Sequence, residues 1–360
     1  MVIKHRGRKF LMEDSLSDIE KLRFARQIVL SDFGEEGQLK LKQARILVVG
    51  IGGLGTFSTL LLAEMGIGYL RIVDRDIVEH TNLHRTPLYT NADLDRAKVE
   101  VAADRLKELN STIEIDTHAC HVGSANIDDL LEGIDIVIDA LDNFETRRII
   151  NRACVQKGIP LIFCGVSGRS GNITVFNLTK QSSCLSCLYH EINDDELESC
   201  DITGIHPAIL PILTGIQVHE AINILLGGES FLDGILLFVD LKTLNFDKIP
   251  ILKNPTCFIC SNDAEYTADS PLDKWVPLDI CGVDNFMLIP QMKMNYDIDK
   301  IKSQIENKFS ITKIGTHSLS LKLTNNVLTT IFKGGNVLIR GVKTPQIALE
   351  IWEDIKGSFT

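Results

Sequence analysis

The first strong pattern along the chain begins at Arg45. Residues 1–18 are polar and mixed in charge, and 19–42 read as helical: IEKLRFARQIVL, a break containing glycine, then GQLKLKQ. RILVVG follows as an unbroken apolar run, the signature of a strand buried on both faces of a parallel sheet. A glycine-rich turn leads into TFSTLLLAEMG, which reads as a helix, and then into the strand YLRIVDRD. Strand, helix and strand within about 30 residues form the unit that makes a right-handed crossover.

The alternation continues with helices predicted over about 96–109, 124–132 and 145–157. Strands are predicted over 113–117 and 134–141 and at PLIFCGV. Strands without intervening helices then appear at 172–177 and 234–241, separated by an apolar helical stretch, 208–226. From about 281 short alternating strands (SLSLKL, VLTTIFK, NVLIRGV) lie between the helices DIDKIKSQIENKF and PQIALEIWEDI, with Gly334-Gly335 marking a hairpin. The expected fold is α/β: a doubly wound, Rossmann-like, mostly parallel sheet with an antiparallel extension, plus a small C-terminal α+β module. The expected division is an arm over 1–22, the α/β unit over 23–265, a linker over 266–282 and the module over 283–360.

The turn after RILVVG carries chemistry. Gly50-Ile51-Gly52-Gly53-Leu54-Gly55 fits GxGxxG between a strand and a helix, and Asp74 follows at the end of the next strand. Such glycines permit the tight turn, the approach of phosphate to backbone and close helix packing, while the helix N-terminus offers N–H groups to an anion. The acidic residue bonds ribose hydroxyls. NAD, FAD and ATP can all use this loop. Asp76, Asn82, Arg85 and Lys98 follow it, and Asp142 ends a later strand. A triphosphate needs such cations, and a carboxylate for Mg²⁺, so the set points to ATP rather than a dinucleotide.

Composition narrows the partners. Thirty-seven Lys and Arg against 48 Asp and Glu give a net charge of −11, which argues against non-specific nucleic-acid binding. No apolar run is expected to reach the length of a membrane helix, and no signal peptide is evident, so a cytoplasmic protein is expected. Nine cysteines in a long chain are not expected to form a disulfide framework. Cys184-Leu-Ser-Cys187 and Cys257-Phe-Ile-Cys260 make CxxC…CxxC, which suits a closed, structural tetrahedral Zn²⁺ site; reduced or redox-active thiols are the alternative. Cys120, Cys154, Cys164 and Cys281 read as packing residues, and His80, His84 and His206 as structural or solvated.

The combination of RFARQ (23–27), GIGGLG (50–55), DRD (74–76), NLHR (82–85), Lys98, LDN (141–143), the paired CxxC and Cys200 resembles the E1-like activating enzymes of the ThiF/MoeB/HesA family over about residues 20–262. The resemblance implies ATP-dependent adenylation of the C-terminal glycine of a ubiquitin-like or sulfur-carrier protein ending in Gly-Gly, by a homodimer. It implies that Arg26 reaches across to the partner subunit's ATP, that Asp74 binds ribose, that Asn82, Arg85 and Lys98 hold phosphates, and that Asp142 binds Mg²⁺. It also implies that Cys200 takes the activated carboxyl, although Asp194, Asp195, Glu196, Glu198 and Asp201 beside it would raise its pKa. Arg85-Thr86 departs from the RQ common in the family, and the module after 265 lies outside the family core. Other readings are activation of a peptide, small molecule or tRNA base, a non-catalytic Rossmann scaffold, and an NAD-dependent oxidoreductase.

Overall fold

The computed structural model describes residues 15–189, 203–261, 275–279, 284–323 and 327–359. The helical start is three pieces, α1 (Asp18–Arg23), α2 (Ala25–Ile28) and α3 (Gly34–Gln43). Ser17 and Glu20 form a capping box on α1. The crossover units follow: β1 (Arg45–Val49), α4 (Gly53–Met65), β2 (Tyr69–Val73), α5 (Lys98–Leu109), β3 (Glu114–His118), α6 (Ile127–Leu130), β4 (Ile136–Asp139) and α7 (Phe144–Lys157). Then come β5 (Leu161–Ser167), β6 (Ser170–Phe176), α8 (Leu185–Leu188), α9 (Ile209–Leu226), β7 (Ile235–Asp240) and β8 (Asn245–Pro250).

These strands form one sheet in the order β3-β2-β1-β4-β5-β6-β7-β8. The first five are parallel and the last three are added antiparallel. The buried runs of β1 and β4 lie at its centre, as their unbroken apolar sequences require. One face packs Ile46, Val48 and Ile138 with Leu62, Val101 and Leu213 of the helices, the other Leu47, Val49 and Val137 with Ile150 and Leu130.

The second sheet contains β9 (Trp275–Asp279), β10 (Asn285–Pro290), β11 (Ser310–Ile314), β12 (Ser318–Lys322), β13 (Leu328–Phe332) and β14 (Val337–Arg340). Its order is β11-β12-β13-β14-β10-β9, all antiparallel. Helices α10 (Ile298–Ile305) and α11 (Pro345–Lys356) bury Ile301, Ile305, Trp352 and Ile355 on one face, against Leu288, Leu319, Ile331 and Ile339. On the opposite face Met287, Phe332 and Leu338 join the core of the first sheet.

Four expectations are corrected. The linker expected over 266–282 contains β9, which pairs with β10 despite Pro277. β8 was not signalled because all six residues are exposed and it bonds along one edge only, leaving no alternation to read. β11 was likewise not foreseen beside the amphipathic helix that precedes it. Helix α9 is long and apolar enough to cross a membrane by length and composition, against the expectation that no segment would be. It runs through the core instead: Gln217 donates to Asp139 O and Ile162 O at 3.0 Å, and Leu213, Thr214 and Ala221 are buried.

Candidate active site

The glycine turn lies at the carboxyl end of β1, where an open parallel sheet presents its ligands. Gly50 has φ +88°, and a methyl group there would lie 2.6 Å from Ala140 O; one on Gly55 would lie 1.8 Å from Gly50 O. Only glycine at both positions lets α4 start this close to the turn. Its N-cap is Gly52 and among the described residues no side chain caps α4, so its first turn presents N–H groups to an anion. Nothing stands within 4 Å of the place a Gly52 side chain would take, whereas Arg85 Cδ lies 3.7 Å from that of Gly53.

Asp74 ties the turn to β2. One oxygen accepts Ile51 N–H at 2.6 Å and the other Asp76 N–H at 2.8 Å. Each oxygen keeps a further lone pair. Lys98, at the start of α5, reaches Asp76 at 3.0 Å. This pair is set by a short antiparallel ladder: Lys98 N donates to Asp76 O, Val78 N to Arg96 O and Asp95 N to Val78 O. Burial disfavours the Lys98 ammonium, but Asp76, Asp74 and Asp142 outweigh it and hold its pKa above the ordinary value. Burial raises the pKa of Asp74 against the pull of Lys98. For Asp76 the opposing cations Lys98 and Arg75 win over burial, and its pKa is lowered.

Asn82 is buried in a 3₁₀ turn, where its side-chain oxygen accepts Glu79 N–H at 3.0 Å. Arg85 leaves that turn and donates to Thr81 O. Asp142 is exposed three residues past the end of β4, within electrostatic reach of Lys98, and its carboxylate accepts no hydrogen bond among the described residues. Gly50, Gly52, Gly53, Gly55, Asp74, Asp76, Arg85, Lys98 and Asp142 thus gather at one end of the sheet, with Asn82 in the turn that carries Arg85.

Arg26 does not join them in its own chain. Its neighbour Gln27 bonds Gln38 at 2.6 Å and Met65 O at 2.9 Å. Met65 ends α4, about 18 Å along the helix from its first turn at 1.5 Å per residue. Arg26 is exposed there. Cys200 and Cys281 lie outside the described residues. Downstream of Cys200 the chain is tied to the tip of the β5–β6 hairpin, with Gly168 N donating to Gly204 O and His206 N to Gly168 O.

One contributor was undervalued in the sequence. Arg147 follows Asp142 in the first turn of α7, where an arginine could support the site but is often only an ion pair worth little; here it is 5% exposed and bonds Asp139 at 3.2 Å. It also donates to Cys164 O at 2.7 Å and to Leu141 O, between the rings of Phe144 and Phe163. It therefore holds the strand end that carries Asp142. Burial raises the pKa of Asp139, against Arg147. The available signal was an aspartate closing an apolar strand.

The four cysteines of the paired CxxC converge although 69 residues lie between the pairs. Their sulfurs all lie within 4.8 Å of one another. Cys184 is 3.9 Å from Cys187 and 3.7 Å from Cys257, and Cys187 is 3.4 Å from Cys260. Tetrahedral thiolates around zinc stand about 3.8 Å apart, so the cluster could hold such an ion. The Cys184 thiol donates toward Cys187, which pulls Cys187 down to about 4; burial pushes Cys260 up to about 12.

Comparison with known proteins identifies what the chain resembles. The chain is 37% identical over 295 residues to "Adenylyltransferase and sulfurtransferase MOCS3" of Culex quinquefasciatus, covering 81% of this chain and 67% of that one. It spans only 56% and 58% of two other mosquito relatives of that name. It is 36% identical over 248 residues to the "SAMP-activating enzyme E1" of Haloferax volcanii, covering 68% of this chain and 91% of that one. Among solved structures, Escherichia coli MccB shares the fold, with TM-score 0.61 and 22% identity over 69% of this chain and 76% of that one. Residues 24–259 match the ThiF family, and the chain belongs to it.

Proposed function

We propose that the protein uses ATP to adenylate the C-terminal carboxylate of a small ubiquitin-like or sulfur-carrier protein ending in Gly-Gly. The observation that carries this reading is the gathering of Arg85, Lys98 and Asp142 around an uncapped glycine turn. The names of the MOCS3 and SAMP-activating relatives support the reaction and the kind of partner. The carrier carboxylate attacks the α-phosphorus, an acyl–phosphate bond forms, and the bond to the pyrophosphate breaks. Negative charge grows on phosphate oxygens, and Lys98, Arg85 and the N-terminus of α4 offset it from fixed positions. Asp74 orients the ribose. Asp142, exposed and accepting no hydrogen bond among the described residues, would hold Mg²⁺, which when bound neutralises phosphate charge.

Three further parts belong to the proposal. Cys200 takes the activated carboxyl after adenylation. The Cys184, Cys187, Cys257 and Cys260 set holds a structural Zn²⁺, checked by metal analysis at one zinc per chain. The protein works in the cytoplasm as a homodimer in which Arg26 serves the partner's nucleotide. Exposed Ile19, Leu22 and Val29 around Arg26, 79%, 80% and 75% exposed, support a second copy on this face.

The test is ATP–pyrophosphate exchange with and without a carrier protein ending in Gly-Gly. Carrier-dependent exchange is expected. ATP binding without exchange for any such carrier would defeat the proposal.

A further inference from the structure

The C-terminal module lies outside the residues that match the family, yet it grips the ladder that carries Lys98 and Asp76. β14 and the residue before it alternate. Val337 and Ile339 face the module's own core, while Leu338 faces the core of the first sheet. Asn336 and Arg340 share the side of Leu338. Asn336, 1% exposed, donates from Nδ2 to Arg75 O at 3.2 Å. Arg75 sits between Asp74 and Asp76, on one arm of the ladder. Arg340 bonds Asp95 at 2.7 Å on the other arm, where Asp95 holds a left-handed backbone at φ +65°. A third contact, Thr316 N to Glu100 Oε1 at 3.3 Å, reaches the first turn of α5, two residues beyond Lys98.

From these three contacts we infer that the module sets the nucleotide site: Asn336 and Arg340 are positioning residues that fix the Asp74–Asp76 segment and Lys98 for ATP. The inference rests on reading this site as the ATP site. Neither residue touches the nucleotide's expected place; each acts through the ladder arm it holds. An isolated Asp76–Lys98 ladder has two short arms and exposed ends. The module ties both arms to a rigid antiparallel sheet, so ATP meets a site already in register. Ordering that would otherwise accompany binding is then done in advance, which strengthens ATP affinity.

The test compares the full chain with Asn336→Ala, Asp95→Asn, Arg340→Gln and the Asp95→Asn/Arg340→Gln double variant. Asp95→Asn is isosteric and tolerates the left-handed backbone, so it keeps the question answerable if Asn336→Ala fails to fold. ATP binding is measured by calorimetry without any carrier, and ATP–pyrophosphate exchange separately. Each single variant is expected to weaken ATP binding and raise KM for ATP by about five- to tenfold, the effect of one hydrogen bond or ion pair. The value of kcat and KM for the carrier should stay within about twofold. The double variant should be no weaker than either of its singles, because both remove one contact. A general loss of structure would instead lower kcat. Folded variants that bind ATP as the wild type does overturn the inference. Wild-type ATP binding without exchange defeats the adenylation proposal and leaves the binding comparison valid. A wild-type chain that binds no ATP overturns both.

Discussion

The two sheets differ in where they can keep chemistry. In the first, five parallel strands send their carboxyl ends the same way, so Gly50, Asp74 and Asp142 from three strand ends meet at one edge. In the second, every neighbour is antiparallel. Its successive strands end at opposite edges, and its buried polar side chains, such as Ser320 and Thr330 at 2.9 Å, bond one another within the sheet. Its residues are committed to two apolar faces: one beneath Trp352, Ile301 and Ile305, the other against the first sheet through Met287, Phe332 and Leu338. One half is organised around a ligand and the other around a neighbour.

The largest expected effect lies at the parallel edge. Lys98→Ala should lower carrier-dependent exchange on the order of 10³-fold, about 4 kcal/mol of transition-state stabilisation. Circular dichroism should remain native. Near-normal exchange in a folded variant would dissolve the contrast between the two sheets. Next in size is Arg147→Ala, which leaves Asp139 buried without its cation. A stability loss of about 3–4 kcal/mol in urea unfolding is expected, with reduced exchange because the Asp142 strand end loses its anchor. A loss below about 1 kcal/mol would return Arg147 to the weak ion pair its sequence position suggests.

A neighbouring pair on β14 sharpens the contrast further. Ile339→Ala cuts into the module's own core and Leu338→Ala into the shared one; each should cost about 2–3 kcal/mol. Their consequences should differ. Leu338→Ala should speed proteolytic release of the module and weaken ATP binding, whereas Ile339→Ala should expose the Trp352 environment to fluorescence quenchers. Identical behaviour of the two would mean that the sheet is not divided between two cores.

Much of the first half was legible because its signals are local. An apolar run, a glycine spacing and a carboxylate at a strand end are each readable within a dozen residues, and RILVVG with GIGGLG placed β1 and α4. The paired CxxC was legible for a different reason: four thiols have few other ways to be satisfied together. What escaped were features defined by distant partners. β8 has no apolar face of its own, β9 is a strand only because β10 pairs with it, and Arg147 is valuable only because Asp139 and Cys164 O surround it. The grip of Asn336 on Arg75 spans 261 residues of sequence, and no periodicity reports it.

The smallest effect tests the seam between the halves through protonation. His121 lies beside Arg75, the residue whose carbonyl Asn336 holds, with Arg75 Nη1 3.3 Å from its Nδ1. Burial, and then the Arg75 charge, lower the His121 pKa to about 3, with Asp76 opposing. An unfolded histidine titrates near 6.5. Between about pH 3 and 6.5 the unfolded chain therefore binds the proton that the folded chain refuses, and stability must rise with pH across that window and level off above it. Going from pH 7.5 to 5.5 should cost the wild type about 1.4 kcal/mol from this group. His121→Gln, which can still accept from Arg75, should remove that share of the slope in urea unfolding at the two pH values. An unchanged slope would mean that His121 is solvated and that the seam at Arg75 admits water.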